Sequence, residues 1–490
     1  MPYIDGERLY RRDHELVYRA THSNRSEAIG PVHPLDHIPE LAGIATYAEA
    51  ARVGFSVDEN VGRLLRYHWA ARGLMTTLVA RIPSEPVWEV KCALALHQWL
   101  LAEQIEWMRL RIAEMRNPVP RLDESPDSAL DRLLDQLRAS STTAEVLAGP
   151  YRVGVRGLVD AYDDHVARTN PLVDHPTRRL LRDAATELRE ALEWAERAEA
   201  ALGAYDPHAV DSAQVWAAHL RIYVDAAGGV GGERPRRNLT ALPNPRSAPP
   251  DDFRPQRDER FKGSYNFEFP PHVVYNMPDV PADERNLALL CKRALEMDVP
   301  EMMASFMTER ADEPWEFYRD YSRQLWDEAR HAMMGTVALE ARGIDWKREI
   351  PLNVSFALRL NEHASPVERQ TMLFAIEQSL MPGDTGKRFE YETAVAADDE
   401  LSAHFHDYDW ADEVLHAQIG RRMLRRDGIT ADEARDRALA IHEQTWAALD
   451  GYRALGEQRN WWPDFVRRAL GHESAVAERA KLGPINVFNE

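Results

Sequence analysis

Two segments of the sequence carry the same arrangement of residues that can bind metal ions. They share the pattern Asp-Glu-x-x-His-Ala-x-x-Gly, at residues 327–335 and 412–420. In each segment Glu and His are three residues apart, Glu328 with His331 and Glu413 with His416. This spacing puts both side chains on one face of a helix, where they can reach the same ion. Of the 18 histidines, only these two have a Glu three residues earlier, so we predict a metal site built by two helices.

Two further carboxylates lie at the distance that a second pair of helices would require. A buried pair of divalent or trivalent cations needs about four negative ligands. In four-helix metal proteins, two helices carry a Glu-x-x-His pair and the other two carry a single Glu. Glu296 lies 32 residues before Glu328, and Glu377 lies 36 residues before Glu413. An isolated Glu in a helix usually faces solvent. Here, however, both Glu296 and Glu377 lie in apolar stretches at the expected distance from a motif, which favours the interpretation that they are metal ligands. The predicted metal ligands are Glu296, Glu328, His331, Glu377, Glu413 and His416, with Glu301 and Glu390 as fallback candidates.

These six residues resemble the ligand set of the ferritin-like superfamily of non-haem di-iron carboxylate proteins. Its members include methane monooxygenase hydroxylases, ribonucleotide reductase small subunits, acyl carrier protein desaturases and rubrerythrins. The match covers about residues 286–426, under a third of the chain. The resemblance implies a ferritin-like four-helix bundle with two Fe ions, bridged by Glu328 and Glu413. It also implies that Asp412 orients His331 and that Asp327 orients His416, as supporting residues around the ligands.

The chain departs from two members of this superfamily. Reductase small subunits carry a radical Tyr one turn after the first motif's His, but residues 332–335 contain no Tyr. Ferritins are short chains without long linkers and tails. Both departures make a reductase subunit or an iron-storage protein a poorer match than an oxygenase.

Polar residues continue the metal-facing side of both motif helices. Four and seven residues before each ligand Glu lie Gln324 and Tyr321, and Asp409 and His406. Polar side chains are costly in a purely structural core unless they are hydrogen-bonded. We therefore name Tyr321, Gln324, His406 and Asp409 as candidate catalytic residues that bind substrate, relay protons or add a metal ligand. The alternative is that they lie near the end of the bundle and contact water. Met303 and Phe306, on the Glu296 stripe, form either core packing or a dry substrate pocket.

Periodicity and composition indicate an all-α protein that would position these residues. Apolar residues recur every three or four positions over residues 87–115, 176–202, 316–342 and 411–426. The formal net charge of -20 disfavours nucleic-acid and anionic membrane partners. The N-terminal stretch lacks the apolar core of a signal peptide, and two cysteines form no disulfide framework. The expected location is the cytoplasm.

A stretch rich in Gly and Pro divides the sequence into two halves. The predicted domains are a helical domain at 1–225, a linker at 226–279, the ferritin-like di-metal domain at 280–450 and a tail at 451–490. Residues from Glu85 align with those from Glu313, with Trp88 over Trp315. In this alignment apolar Leu101 takes the place of Glu328. The first half is therefore interpreted as a second, related helical bundle without metal ligands, which covers the catalytic bundle or builds a homodimer.

The function that this pattern favours is an O2-dependent di-iron oxygenase or oxidase. Hydroxylation, desaturation, N-oxygenation and oxidative cleavage of a small-molecule substrate share the same ligand set, so they stay open. Such an enzyme would need an electron donor, a ferredoxin or a reductase. The alternatives are a metal-storage or peroxide-scavenging protein, a Mn or mixed Mn/Fe site, and a scaffold in which the six ligands are accidental.

Overall fold

The regular secondary structure is helical throughout the part of the chain that can be described. The computed structural model describes residues 33–236, 242–262, 271–277, 279–381, 386–453 and 460–476. Within these ranges no strand occurs, which confirms the all-α prediction. None of the helices in them has the length and apolar character needed to cross a membrane. The α-helices of at least nine residues are α1 (Val57–Arg81), α2 (Trp88–Met115), α3 (Ser128–Arg138), α4 (Arg156–Arg168), α5 (His175–Tyr205), α6 (Pro207–Ala227), α7 (Ala282–Leu295), α8 (Asp298–Glu309), α9 (Trp315–Glu340), α10 (Ser355–His363), α11 (Pro366–Ser379), α12 (Lys387–Ala396), α13 (Glu400–Arg426), α14 (Ala431–Arg453) and α15 (Trp462–Leu470).

The helix that was expected to carry Glu296 is interrupted at that residue. Helix α7 ends at Leu295, Glu296 is its C-terminal cap, and α8 begins at Asp298. Pro300 explains the break, because it has no backbone N–H to donate to the carbonyl of Glu296 and its ring would clash there. The backbone N–H of Val299 donates to that carbonyl instead, at 3.0 Å. Glu296 therefore lies at a junction between two helices.

Helix α9, which carries the first motif, packs against α7, α8 and α13. Helix α13, which carries the second motif, also packs against α11 and α12. The starts of α11 and α13 are set by caps: Ser365 and Glu368 form a capping box, and the Asp399 carboxylate accepts from the backbone N–H of Ser402. Glu328, Glu377 and Glu413 therefore lie on neighbouring helices, and Glu296 lies at the junction between α7 and α8.

Helices from both halves of the sequence belong to one large compact unit, residues 55–168 and 176–490. In it, α2 packs against α9, and α1 packs against α8. Helices α2 and α9 begin at Trp88 and Trp315, the two residues aligned in the proposed internal repeat. Of the described residues, 33–54 and 169–175 form a second, small unit, in which the Asn170 side chain donates to the carbonyls of Ala50 and Arg52.

The predicted domain boundaries at 225, 279 and 450 stay predictions. Residues 228–236 and 242–262 contain no helix, and the carbonyl of Gln256 accepts from the Lys91 ammonium at 3.0 Å. Parts of the predicted first domain, linker and tail lie outside the described residues, at 1–32, 237–241, 263–270, 278, 454–459 and 477–490.

Candidate metal centre

Three carboxylates and one imidazole meet between α9, α11 and α13. Glu328, Glu377, Glu413 and His416 each offer one ligand atom, and these four atoms lie within 4.8 Å of one another. All four side chains are buried. The Nδ1 atom of His416 lies 3.2 Å from Glu328 Oε1 and 3.2 Å from Glu413 Oε2. We call these four residues the first group.

The aspartates that precede each ligand Glu contact the histidine of the opposite motif. Asp327 Oδ2 lies 3.4 Å from Nε2 of His416, and Asp412 Oδ2 lies 3.2 Å from Nε2 of His331. This is the crossed pairing that the resemblance implied. Because a carboxylate holds Nε2, the Nδ1 atom of each ring is turned toward the glutamates, as a metal ligand requires.

The first group concentrates negative charge in a buried place. Burial and the charges of Glu413 and Glu328 raise the pKa of Glu377 well above its usual value. Burial opposes ionisation of Glu413 too, but the Lys387 ammonium and a hydrogen bond with Glu377 hold its pKa well below the usual value. Among the described residues, Oε2 of Glu377 has no hydrogen-bond partner. Closely spaced carboxylates with a free oxygen fit a bound cation, which would supply the missing positive charge.

The other predicted ligands, Glu296 and His331, lie in a second group. Together with Asp409 they offer three ligand atoms within 4.8 Å. The Nδ1 atom of His331 lies 3.1 Å from Asp409 Oδ1, 3.5 Å from Glu328 Oε2 and 3.9 Å from Glu413 Oε1. Glu390, His406 and Asp409 form a third set of the same kind, which shares Asp409 with the second group.

Two buried cations lie among the residues of the second group. The Lys387 ammonium is 3.0 Å from Asp409 Oδ1 and 2.9 Å from Glu413 Oε1. The Arg293 guanidinium donates to Glu296 Oε2 at 2.9 Å and to Glu390 Oε2 at 2.6 Å, and it also pairs with Asp409. Both cations have side chains that are almost fully buried.

These cations set the ionisation of their neighbours. Burial would raise the pKa of Asp409, but Arg293 and Lys387 outweigh it and lower that pKa. Burial and the Arg293 charge lower the pKa of His406 to about 3. Neutral His406 therefore accepts a hydrogen bond from Arg293 at its Nδ1 atom, at 3.0 Å. Burial also disfavours the charged form of His331, but Asp409 and Asp412 raise its pKa to about 10.

Three of the four candidate catalytic residues belong to this polar region. Gln324 donates to Glu377 Oε1 at 2.9 Å, and His406 and Asp409 surround Arg293. Tyr321 lies elsewhere on α9, with its ring centroid 5.1 Å from that of Phe306 and 4.9 Å from that of Phe317. The structure thus places Tyr321 in an aromatic cluster, where burial raises the pKa of its hydroxyl.

The fallback candidate Glu301 lies apart from the three metal-binding sets. Its carboxylate pairs with the Lys91 ammonium and the Arg257 guanidinium, and all three side chains are buried. The other fallback candidate, Glu390, pairs with Lys292 and Arg293. Glu301 therefore has cation partners of its own and does not face the first group.

Sequence reasoning missed Arg293 and Lys387. Arg293 lies one turn before Glu296 in an apolar stretch, a spacing at which opposite charges often pair, so the sequence contained a signal for it. Lys387 is the first residue of α12 and has no such signal, since its contacts with Asp409 and Glu413 depend on how α12 packs against α13.

Comparisons of this chain with protein-family models, with curated proteins and with solved structures found no match.

Proposed function

We propose that this protein is an oxidoreductase that uses a metal ion and O2 to oxidise a small organic substrate. The observation that carries the proposal is the first group, in which three buried carboxylates and one imidazole converge. Carboxylate oxygens with one imidazole nitrogen suit iron and manganese. The crossed pairing of the two motifs supports the resemblance to the ferritin-like superfamily. We therefore propose that α9, α11, α13 and the interrupted pair α7 and α8, which together count as one helix, form its four-helix metal-binding unit.

The chain's own residues would position and neutralise such an ion. Glu328, Glu377, Glu413 and His416 would hold it, and Asp327 fixes the ring of His416 through Nε2. Gln324 orients Glu377 through a hydrogen bond. A reduced metal ion held by these residues would transfer to dioxygen electrons that an external donor and the substrate supply.

Buried apolar and aromatic residues on the helices of the candidate centre support the proposal of an organic substrate. Met303 and Phe306 are buried on α8, which packs against α9 and α11, and Tyr321 is buried on α9. A dry wall of this kind excludes water from a reactive site and favours reaction with a C–H or N–H bond. Hydroxylation consumes one O2, two electrons and two protons per substrate and releases one water. Because these electrons must come from outside the chain, the proposal includes a ferredoxin or reductase as electron donor. It also includes a cytoplasmic location.

Metal analysis of the purified protein tests the proposed ligands. We expect Glu328→Ala and His416→Ala to lose the metal that the wild-type protein binds, while the helical circular dichroism is largely kept. Glu103→Ala on α2 is a matched control, because this Glu lies outside all three metal-binding sets, and it should keep the metal. A wild-type protein without metal, or a variant that retains it, would contradict the ligand assignment.

Oxygen uptake separates an oxygenase from a storage protein. An anaerobically loaded, reduced protein is mixed with O2 in the presence and absence of candidate organic substrates. We expect repeated turnover only when both a substrate and a reductant are present. Uptake that depends on ferrous ions or peroxide alone would replace the oxygenase proposal with metal storage or peroxide removal.

A further inference from the structure

The second group already contains a cation at the place where a second metal ion would bind. The predicted ligand atoms there belong to Glu296, His331 and Asp409. The Lys387 ammonium lies 3.0 Å from Asp409 Oδ1 and 2.9 Å from Glu413 Oε1, so it links the second group to the first. A second metal ion that used both Asp409 and Glu413 would have to compete with this ammonium for the two carboxylates.

Arg293 approaches the same carboxylates from α7. It pairs with Asp409, Glu296 and Glu390, and its side chain is 2% exposed. The Oδ1 atom of Asp409 is therefore contacted by Arg293, by Lys387 and by the Nδ1 atom of His331. A metal ion bound to that oxygen would have to displace at least one of these partners.

Cations already pair with every carboxylate of this region. Glu296, Glu390 and Asp409 face Lys292, Arg293 and Lys387, and the last of these also pairs with Glu413. Two or three more positive charges would then lack partners in a buried place, which is strongly unfavourable. The first group differs, because no Lys or Arg among the described residues forms an ion pair with Glu328 or Glu377.

The second metal ion of the di-iron family therefore does not fit this chain. We propose that the Lys387 ammonium takes the place of the second ion, so that each chain binds one metal ion, at Glu328, Glu377, Glu413 and His416. This inference rests on the proposed function, since it concerns the same centre. It assigns Lys387 and Arg293 as positioning residues: both neutralise Asp409, and Lys387 also pairs with Glu413.

A count of bound ions tests the proposal directly. Mn(II) is added anaerobically to the full-length protein, unbound metal is removed, and manganese is measured by elemental analysis and electron paramagnetic resonance. We expect one ion per wild-type chain, with the spectrum of isolated Mn(II). In Lys387→Met we expect the count to rise toward two, with a spectrum broadened by coupling between neighbouring ions. Lys347→Met is the matched control, because Lys347 pairs with Glu89, which belongs to none of the three metal-binding sets. This variant should bind one ion per chain.

Each outcome distinguishes this inference from the proposed function. Two ions per wild-type chain would overturn the inference alone and leave the proposed function standing. No bound ion in the wild type would overturn both. One ion in the wild type, in Lys387→Met and in the double variant Lys387→Met/Arg293→Met would show that these cations are not what excludes the second ion. If a variant fails to fold, the wild-type count still tests whether each chain binds one ion.

Discussion

At the scale of single residues, contacts with carboxylates fix the orientation of the two histidine rings in the candidate metal centre. The imidazole of His416 is held at Nε2 by Asp327, and its Nδ1 atom faces Glu328 and Glu413. His331 has the same arrangement with Asp412, but the carboxylate nearest to its Nδ1 atom is Asp409, ahead of Glu328, and Asp409 pairs with Lys387 and Arg293. Two residues with the same sequence pattern therefore have different surroundings.

This difference predicts unequal effects of two similar substitutions. Asp327→Asn should weaken metal binding by about 10–100-fold, the usual cost of losing a carboxylate that supports a histidine ligand. Asp412→Asn should change the affinity much less, because His331 belongs to the second group. Titration calorimetry with Mn(II) measures both. Equal losses in the two variants would indicate that His331 is a ligand as well.

A buried histidine outside the centre predicts a pH dependence of stability. Burial lowers the pKa of His97 to about 3, and its Nδ1 atom lies 2.8 Å from the Tyr151 hydroxyl. Since the unfolded chain binds a proton near pH 6.5 and the folded chain does not, stability falls as the pH drops from 6.5 toward 3. The contribution of one such group is about 1.4 kcal/mol per pH unit.

Replacing His97 should therefore flatten this slope. Chemical denaturation of His97→Gln at several pH values between 7 and 4 should show a weaker loss of stability than the wild type. The exposed His208→Gln is the control and should follow the wild-type curve. An unchanged slope in His97→Gln would exclude His97 as a source of the pH dependence.

At the scale of helices, the glycine that ends each motif allows close packing. A Cβ atom at Gly335 would lie 2.5 Å from the backbone N of Ala294 and 2.8 Å from Arg293 Cβ. A Cβ atom at Gly420 would lie 2.7 Å from Cδ2 of Phe374. Gly335 thus lets α9 pack against α7, the helix that Glu296 caps. Gly420 lets α13 pack against α11, the helix that carries Glu377.

Gly335→Ala should therefore destabilise the protein. The added methyl group meets backbone atoms that cannot move easily, and overpacking of this kind costs about 1–3 kcal/mol. Gly62→Ala on α1 is the matched control, because its Cβ would meet nothing within 4 Å. That change should be neutral or stabilising by up to about 1 kcal/mol, since Ala favours helix. Urea denaturation measures both, and similar effects in the two variants would contradict the packing argument.

At the scale of the whole molecule, three distant parts of the chain meet at one buried carboxylate. Lys91 comes from α2, Arg257 from the segment rich in Gly and Pro, and Glu301 from α8. The Lys91 ammonium also donates to the carbonyls of Pro83 and Gln256. Glu301 thus joins helices of both halves of the sequence to the connecting segment.

Glu301→Ala should lower the free energy of unfolding substantially. Removal of Glu301 takes the carboxylate from the buried Lys91 and leaves Arg257 with the more distant Asp298, at 3.7 Å, and breaking a buried ion pair in this way costs about 3–5 kcal/mol. Asp163→Ala is the control, because Asp163 and Arg189 form an exposed pair that contributes at most about 1 kcal/mol. Denaturation curves give both values, and a loss below about 1 kcal/mol for Glu301→Ala would show that this cluster does not stabilise the molecule.

The sequence by itself determined the helical class and the side chains of the first group. Helical periodicity predicted residues 316–342, and α9 is Trp315–Glu340. For α13, apolar periodicity began at residue 411 and the polar side of the helix was extended back to His406, whereas the helix begins at Glu400. Residues 400–410 are largely polar or aromatic and show little apolar periodicity, so only the Asp399 cap and the packing of α12 and α13 reveal this start. The spacing of Glu and His placed each pair on one helix face because that geometry is local.

Only the tertiary structure decided which of the six predicted ligands share one position. Glu328, Glu377, Glu413 and His416 meet, whereas Glu296 and His331 lie with Asp409 beside Lys387 and Arg293. The physical reason is that charge balance in a buried site depends on every helix that packs around it. Lys387 enters from α12, whose position beside α13 is not encoded in any local pattern of the sequence.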